Sequence, residues 1–302
     1  MAGFPVNGEI QASGGTFPGR MHLPSGGPPR TPRVPAMPRT LPVKTGFLSH
    51  PLIAFRPTYS SMRIIRAPNL ARAHELAVKA VLEKGWVLET EDGEGTGECD
   101  EIGIRVEEPF APPMASPRSR FQQRFLEKYA HDLIHGTHAE FEYDYHGRLF
   151  DWGGGLSSGG REVHVDQVDY MIRKLAAQKA SRRAIAITWI PPVDESLDDC
   201  PCLQLVQCLV RGGALRMKVV FRSNDMLLAA GANMFALAHL QKHVADALGL
   251  PCGPYTHISL VPHIYYKRDA NDLPAFCGDG TDIQPVEAVC RACGRCGDRG
   301  NR

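Results

Sequence analysis

The sequence has no run of about 18 or more apolar residues, the length that a membrane-spanning helix requires. It also opens without the apolar core of a secretory signal peptide, so a cytoplasmic protein with no membrane partner is expected. Neither sign of charge is in excess, because 34 Lys and Arg residues stand against 33 Asp and Glu residues. Since no broad basic surface is implied, nucleic acid is not an expected partner.

The nine cysteines are typical of cytosolic thiols rather than of a secreted disulfide framework. Their densest cluster lies near the C-terminus, at Cys290, Cys293 and Cys296, with Cys277 upstream. Four thiolates could bind zinc, although this spacing does not form two Cys-x-x-Cys knuckles. Loose thiols are the stronger interpretation, and no metal site is assigned.

Proline divides the chain into three segments. Residues 1–58 hold 11 of the 24 prolines and show no sustained hydrophobic periodicity. A segment of this composition cannot bury enough apolar area to offset its ordering entropy, which predicts a disordered arm. A folded domain is predicted over residues 59–270, followed by a tail rich in Cys, Gly and Arg over residues 271–302.

Three helices are predicted in the first half of the folded domain. Asn69 is the expected N-cap of the first helix, and Gly85 is expected to end it. Apolar residues at helical spacing predict the other two. The expected buried faces are Leu70, Ala73, Ala77 and Val81 in the first helix, Phe121, Phe125, Tyr129 and Leu133 in the second, and Val165, Val168, Ile172 and Leu175 in the third.

The second half of the domain alternates strands with one long helix. Residues 184–190 predict a short strand closed by two prolines, and residues 202–222 predict a hairpin with Arg211-Gly212-Gly213 at its turn. A helix is expected from about residue 232 to residue 248, and a final strand precedes His263. Helices combined with mainly antiparallel strands predict an α+β fold.

Cys202 is the strongest candidate for a nucleophile. It lies where a proline-containing connection enters the hairpin, so its sulfur can be reached from solvent. The hairpin returns the chain to Arg222, and a neighbouring cation stabilises the thiolate, which is the reactive form. A packed, inert cysteine is the structural alternative.

Two arginine motifs, Arg182-Arg183 and Arg222-Ser223, supply forked donors and a hydroxyl suited to a phosphate dianion. The first pair could instead end a helix and satisfy its dipole. Farther along, Asn233 could serve as a helix N-cap, and His263 and Tyr265 alternate along a strand so that both point to one face. Core packing is the alternative for that last pair.

In combination these motifs resemble the thymidylate synthase and pyrimidine-nucleotide hydroxymethylase family. Arg-Arg, Pro-Cys, Arg-Ser-x-Asp, Asn and His-Ile-Tyr occur in the family's order and at family-like distances, in a match that covers roughly residues 62–268. The resemblance implies a thymidylate synthase-like fold, in which a mixed, mainly antiparallel sheet packs against helices. It also implies a homodimer formed through that sheet.

The resemblance implies catalytic roles for three residues. Cys202 would add to C6 of a pyrimidine nucleotide, and Tyr145 would assist proton removal at C5. Asp225 would contact the base and the folate, since the implied one-carbon donor is 5,10-methylenetetrahydrofolate. The family's glutamate-bearing helix has no clean counterpart here, and Glu127 is the nearest candidate for its base.

The other matched residues are implied to bind the nucleotide through its phosphate, base and sugar. They are Arg222 and Ser223 for the phosphate, Arg182 and Arg183 for the phosphate of the partner subunit, Asn233 for the pyrimidine edge, and His263 and Tyr265 for the sugar hydroxyl. The asparagine amide fits uracil in one orientation and cytosine in the other, so this residue type does not decide between them. One phosphate-binding arginine of the family is absent, because Gly93 stands in its place.

Three departures favour the hydroxymethylase branch: the family's histidine after the nucleophile is Leu203, its tryptophan-bearing helix has no clean counterpart, and its long C-terminal closure is not recognisable. A wetter pocket favours water over hydride as the final acceptor. The proline-rich arm resembles CMP 5-hydroxymethylases of mildiomycin-type nucleoside-antibiotic pathways, which implies CMP as substrate. The alternatives are a thymidylate synthase that methylates dUMP, and an RNA- or zinc-binding interaction protein.

Overall fold

The computed structural model describes residues 62–277 except 92, 138–143, 155 and 159. The proposed arm over residues 1–58 lies outside the described residues, as does the cysteine cluster at 290–296. Both therefore stay predictions. None of the described helices is long and apolar enough to cross a membrane.

The described residues form twelve strands and seven helices, interspersed along residues 63–276. The strands are β1 (Arg63–Ala67), β2 (Trp86–Glu89), β3 (Gly95–Glu98), β4 (Ile102–Val106), β5 (Ser157–Ser158), β6 (Arg161–Glu162), β7 (Ile185–Ile187), β8 (Leu203–Arg211), β9 (Ala214–Phe221), β10 (Asn224–Asp225), β11 (Cys252–Ser259) and β12 (Pro262–Ile264). The helices are α1 (Leu70–Lys84), α2 (Gln123–His135), α3 (Tyr145–Phe150), α4 (Gln167–Ala177), α5 (Pro191–Asp194), α6 (Ala229–Ala247) and α7 (Leu273–Phe276).

The larger sheet has the strand order β1-β4-β11-β9-β8-β7. Its β1–β4 and β11–β9 junctions are parallel and the other three are antiparallel. The predicted hairpin lies within it, and its turn residues Gly212 and Gly213 have φ angles of 61° and 75°. This left-handed conformation suits glycine and matches the twist of a two-residue hairpin. The predicted α+β class with mainly antiparallel strands is confirmed.

A smaller sheet, with the order β10-β12-β3-β2, brings distant parts of the chain together. The short strand β10 pairs in parallel with β12, and β12 pairs antiparallel with β3. The chain after β9 is held there because the Asn224 N–H donates to the Val261 carbonyl at 3.0 Å, and the Met226 N–H donates to the His263 carbonyl at 2.8 Å. Three segments that carry candidate site residues therefore lie side by side.

Helix α6 is the central helix of the core and is buried along most of its length. It begins at Ala229, three residues before the predicted start, because the Asp225 carboxylate accepts hydrogen bonds from the N–H groups of Leu227 and Leu228, each at 3.0 Å. A side chain outside the helix thus organises the turn that leads into it. Asn233 consequently lies inside the helix, and its interpretation as an N-cap is wrong.

Two of the predicted buried helix faces, those of α2 and α4, begin too early in the sequence. Helix α1 has the predicted N-cap, since Asn69 accepts from the Arg72 N–H at 3.0 Å. Helix α2 begins only at Gln123, so Phe121 precedes it, and α4 is capped by Asp166, so Val165 lies before it. Apolar spacing alone extended both helices past their true starts. The buried face of α2 is Leu126, Ala130 and Leu133.

Candidate active site

A cleft of about 500 Å³ collects most of the predicted site residues. The chain segments that line it come from the β2–β3 hairpin, α2, the start of α3, the connection before β8, the segment from β9 into α6, and β12 with the residues after it. The predicted residues found there are Tyr145, Cys202, Arg222, Ser223, Asp225, Asn233, His263 and Tyr265. Such convergence from distant positions is typical of a binding or active site.

Cys202 immediately precedes β8 and is half-buried in this cleft. Arg222, at the other end of the hairpin, closes the strand pair: its N–H donates to the Cys202 carbonyl at 2.8 Å. The Arg222 guanidinium donates to the carbonyls of Pro201 at 3.1 Å and Cys200 at 2.7 Å. These bonds hold the Arg222 guanidinium against the connection that carries the candidate nucleophile.

Tyr145 lies against the peptide that follows Cys202. The Leu203 N–H donates to the Tyr145 hydroxyl oxygen at 3.0 Å, and the ring is buried. Asp144 caps α3 by accepting from the Gly147 N–H at 2.7 Å, which fixes the start of the helix that carries the tyrosine. A phenol oxygen that accepts a hydrogen bond can still give or take its own proton.

Asn233 has a half-buried partner that the sequence did not identify as a site residue. The Tyr129 hydroxyl, on α2, donates to the Asn233 Oδ1 at 3.0 Å. Burial raises the pKa of Tyr129, and the charge of Cys202 acts in the same direction, so the phenol stays protonated. The sequence predicted Tyr129 only as a member of the buried face of its helix. Its hydroxyl also orients the Asn233 amide.

His263 and Tyr265 form the predicted pair, with ring centroids 4.9 Å apart and nearly perpendicular. Burial lowers the pKa of His263, which keeps the imidazole neutral near pH 7. Its Nδ1 lies 3.2 Å from the Val261 carbonyl and 3.3 Å from the Ser223 hydroxyl. Because a carbonyl can only accept, the proton is assigned to Nδ1, which leaves Nε2 as an acceptor.

Asp225 is almost fully buried and is held by an arginine that the sequence analysis missed. Arg268 Nη2 lies 2.5 Å from the Asp225 carboxylate, and the same guanidinium binds Asp269. Arg268 also lies over the Tyr265 ring, 4.0 Å from its centroid. The signal that could have found it is a cation three residues after Tyr265.

The side chain of Asn224 points into the core, whereas its neighbours Ser223 and Asp225 line the cleft. It is buried, and its side-chain N–H group donates to His257 Nε2 at 2.7 Å. Burial lowers the pKa of His257 to about 3, so the ring is a neutral acceptor here. With this side chain anchored in the core, Ser223 and Asp225 contribute to the lining of the cleft.

Three predicted residues lie elsewhere. Arg182 and Arg183 are exposed on the connection between α4 and β7, where they line a separate groove of about 460 Å³ together with Lys174. Glu127 is exposed on α2 and accepts a hydrogen bond from Gln123 at 2.7 Å. It does not line the cleft of Cys202.

Comparison with known proteins agrees with this geometry. The family model described as "Thymidylate synthase" matches residues 124–273, which include α2 and the motifs from Tyr129 to Arg268. A protein of Methanocaldococcus jannaschii named "Putative thymidylate synthase" is 38% identical over 213 residues, 69% of this chain and 93% of the relative. Relatives with the same name in Methanosarcina barkeri and Methanopyrus kandleri are 37% and 30% identical, over 67% and 70% of this chain and 89% and 96% of their own.

The chain belongs to the thymidylate synthase family. Its fold is therefore the thymidylate synthase fold, and the protein is an enzyme of that family. Thymidylate synthases use methylenetetrahydrofolate as the one-carbon donor and act on a pyrimidine nucleotide.

The cleft of this thymidylate synthase-family enzyme has the size and the polar lining of a small-molecule site. Its volume is within the range of roughly 300–1,000 Å³ usual for small-molecule sites. The Asn233 amide lines it and offers one donor and one acceptor edge to a heterocycle. Among the residues that the structure describes, no group of three His, Cys, Asp or Glu side chains could hold a metal ion.

Replacing Tyr129 by Phe tests the orientation of Asn233. Loss of one hydrogen bond of ordinary strength should raise the KM for the pyrimidine nucleotide about fivefold. The discrimination between cytosine and uracil nucleotides should also narrow, because the amide can rotate. Steady-state kinetics with both bases measure this.

Ser116→Ala is the control for Tyr129→Phe, because it removes a hydroxyl that donates to Glu75 at 2.9 Å, outside the cleft. Its base preference should equal that of the wild type. An unchanged KM and base preference in Tyr129→Phe would show that the hydroxyl does not orient the amide.

Proposed function

We propose that this enzyme is a CMP 5-hydroxymethylase that forms a covalent bond between Cys202 and C6 of the pyrimidine. The observation that supports it most is the convergence of a thiol, an arginine, an amide and a histidine–tyrosine pair on one cleft. These are the groups that a nucleotide requires for attack, phosphate binding, base reading and sugar binding. The preference for CMP rests on the resemblance of the sequence to the hydroxymethylase branch.

The Cys202 thiolate is the proposed nucleophile. It adds to C6 of the ring, and the electron pair of the C5–C6 bond moves to C5, which becomes carbanion-like. The Arg222 guanidinium, fixed by the Pro201 and Cys200 carbonyls, lines the same cleft as this sulfur. Bound methylenetetrahydrofolate would supply the one-carbon unit to C5.

Tyr145 is the proposed group for proton removal at C5. Its oxygen lies at the peptide N–H after the nucleophile, so it is held on the side of the cleft where the sulfur attacks. Asn233, oriented by Tyr129, would contact the base edge, and Asp225 would contact the base and the folate. Departure of tetrahydrofolate, together with loss of the C5 proton, would leave an exocyclic methylene on the ring. After water or hydride adds to that carbon, loss of the Cys202 thiolate from C6 restores the ring.

The final acceptor decides between the two family products. Water added to the exocyclic carbon gives a hydroxymethyl group, whereas hydride gives a methyl group. The walls of the cleft are rich in charged and polar side chains, which supports water as the acceptor. Methylation of dUMP is the second candidate, supported by the printed name of the relatives, "Putative thymidylate synthase".

The balance of charge in the cleft supports a dimer. Among the residues that the structure describes, the cations that line it are Arg222 and Arg268; the first binds backbone carbonyls and the second is paired with Asp225 and Asp269. The carboxylates that line it are Glu91, Glu98, Asp198, Asp199 and Asp225. A phosphate dianion needs additional cations here, since it would otherwise face an excess of negative charge.

Arg182 and Arg183 are the proposed additional cations, supplied by a second copy of the chain. Both are exposed and lie away from the cleft of their own subunit. The larger sheet also exposes apolar side chains on the face opposite its core: Ile64 is 62% and Ile187 is 42% exposed. An exposed apolar sheet face is suited to a subunit interface, and this supports the sheet-mediated homodimer.

The product assay separates the two candidate reactions. The enzyme is incubated with methylenetetrahydrofolate and, in separate reactions, CMP, dCMP or dUMP. CMP should give 5-hydroxymethyl-CMP and no dihydrofolate, as measured by mass spectrometry of the nucleotides and absorbance of the folate.

Cys202→Ser should abolish turnover and keep nucleotide binding measurable by calorimetry. Release of dihydrofolate with dTMP would overturn the proposed reaction, and normal turnover by Cys202→Ser would remove the covalent step.

Subunit complementation tests the contribution of Arg182 and Arg183. Cys202→Ser and the double variant Arg182→Ala/Arg183→Ala should each be almost inactive as homodimers. When the two are unfolded, mixed and refolded, half of the dimers are mixed and each has one intact site. Roughly one quarter of the wild-type activity should therefore return. Each variant refolded alone is the control, and no recovery in the mixture, or an active monomer in sedimentation, would contradict the dimer.

A further inference from the structure

Glu98 is a carboxylate placed at the sugar end of the cleft. It is the last residue of β3, and the register of β3 with β12 puts it directly opposite His263. Directly opposed residues of antiparallel strands project to the same face, with Cβ atoms about 4.5–5.5 Å apart. Glu98 accordingly lines the same cleft as His263 and Tyr265.

The orientation of Glu98 is fixed by its own strand. Thr96, two residues earlier and fully buried, donates its hydroxyl to Glu98 Oε1 at 3.1 Å. A carboxylate has about four lone-pair sites, so this bond leaves acceptor capacity for a ligand. Within the described part of the chain, none of the ion pairs includes Glu98.

The two sugars that a nucleotide can carry differ in what they offer such a group. Ribose has adjacent 2′- and 3′-hydroxyls, and both can donate to acceptors, whereas 2′-deoxyribose has only the 3′-hydroxyl. His263 Nε2 supplies one acceptor at this end of the cleft, and Glu98 supplies a second beside it. A carboxylate that accepts from a ribose 2′-hydroxyl is a recurrent means of sugar recognition in nucleotide-binding proteins.

We propose that Glu98 selects ribonucleotides over 2′-deoxyribonucleotides by accepting a hydrogen bond from the 2′-hydroxyl, while His263 and Tyr265 hold the 3′-hydroxyl. The inference rests on the proposed function, since it requires a pyrimidine nucleotide in this cleft. Glu98 is a specificity-determining residue in this account and takes no part in the bond changes at C5 and C6.

The test compares kcat/KM for CMP and dCMP in the wild type and in Glu98→Gln. Glutamine keeps the size of the side chain and loses the charge that strengthens the hydrogen bond. The CMP-to-dCMP ratio should fall about 10- to 100-fold, the range for a hydrogen bond to a charged group. Most of the change should be in the CMP value. Since each ratio is taken within one preparation, a partly folded variant does not distort it.

Two further variants test whether the fall in the CMP-to-dCMP ratio comes from the oriented Glu98 carboxylate or from the charge of the cleft as a whole. Thr96→Val removes the donor that orients Glu98 and should lower the ratio in the same direction, by less. Glu91→Gln removes an equal charge from another residue that lines the cleft, and its ratio should match that of the wild type. A comparable fall in Glu91→Gln would attribute the effect to overall charge and overturn the proposal.

Binding to Cys202→Ser, with and without Glu98→Gln, distinguishes this inference from the proposed function. If calorimetry detects CMP and dCMP and Glu98→Gln leaves their affinity ratio unchanged, the inference is wrong and the proposed function stands. A wild type that prefers dCMP also overturns it. Binding of neither nucleotide would overturn the proposed function and this inference together.

Discussion

The closure of the β8–β9 hairpin by Arg222 is the interaction on which the site depends. Its N–H and guanidinium bind the carbonyls of three consecutive residues, Cys200, Pro201 and Cys202. One side chain thus fixes the connection that carries the candidate nucleophile and brings a positive charge to it. It also sets the position from which the chain continues through Ser223 to Asp225.

After Arg222, successive side chains point alternately into the core and towards the cleft. Asn224 is anchored on His257 in the core, while Asp225 both organises the start of α6 and binds Arg268. Because α6 begins where Asp225 sets it, Asn233 lies within the helix and within reach of Tyr129. Asp225 and Asn233, two of the proposed site residues of this thymidylate synthase-family enzyme, are therefore coupled through the backbone of α6.

The sequence predicted those turns and helix ends that depend on a few neighbouring residues. The Gly212-Gly213 turn and the Asn69 cap were predicted correctly, since each depends on a few neighbouring residues. The start of α6 was not, because the carboxylate that organises the turn before it, Asp225, lies outside the helix and no side chain caps the helix itself. Tyr129, Glu98 and Arg268 were missed as site residues because only the packing of α2 and the register of the smaller sheet bring them to the cleft.

The central claim is that the sulfur of Cys202 bonds to C6 of a pyrimidine nucleotide, and covalent trapping tests it most directly. With 5-fluoro-CMP and methylenetetrahydrofolate, the fluorine at C5 cannot leave as a proton does, so the adduct should persist. Mass spectrometry of a proteolytic digest should find the added mass on the peptide that contains Cys202. Modification of another cysteine, or an unmodified Cys202 under conditions in which CMP is turned over, would contradict the account.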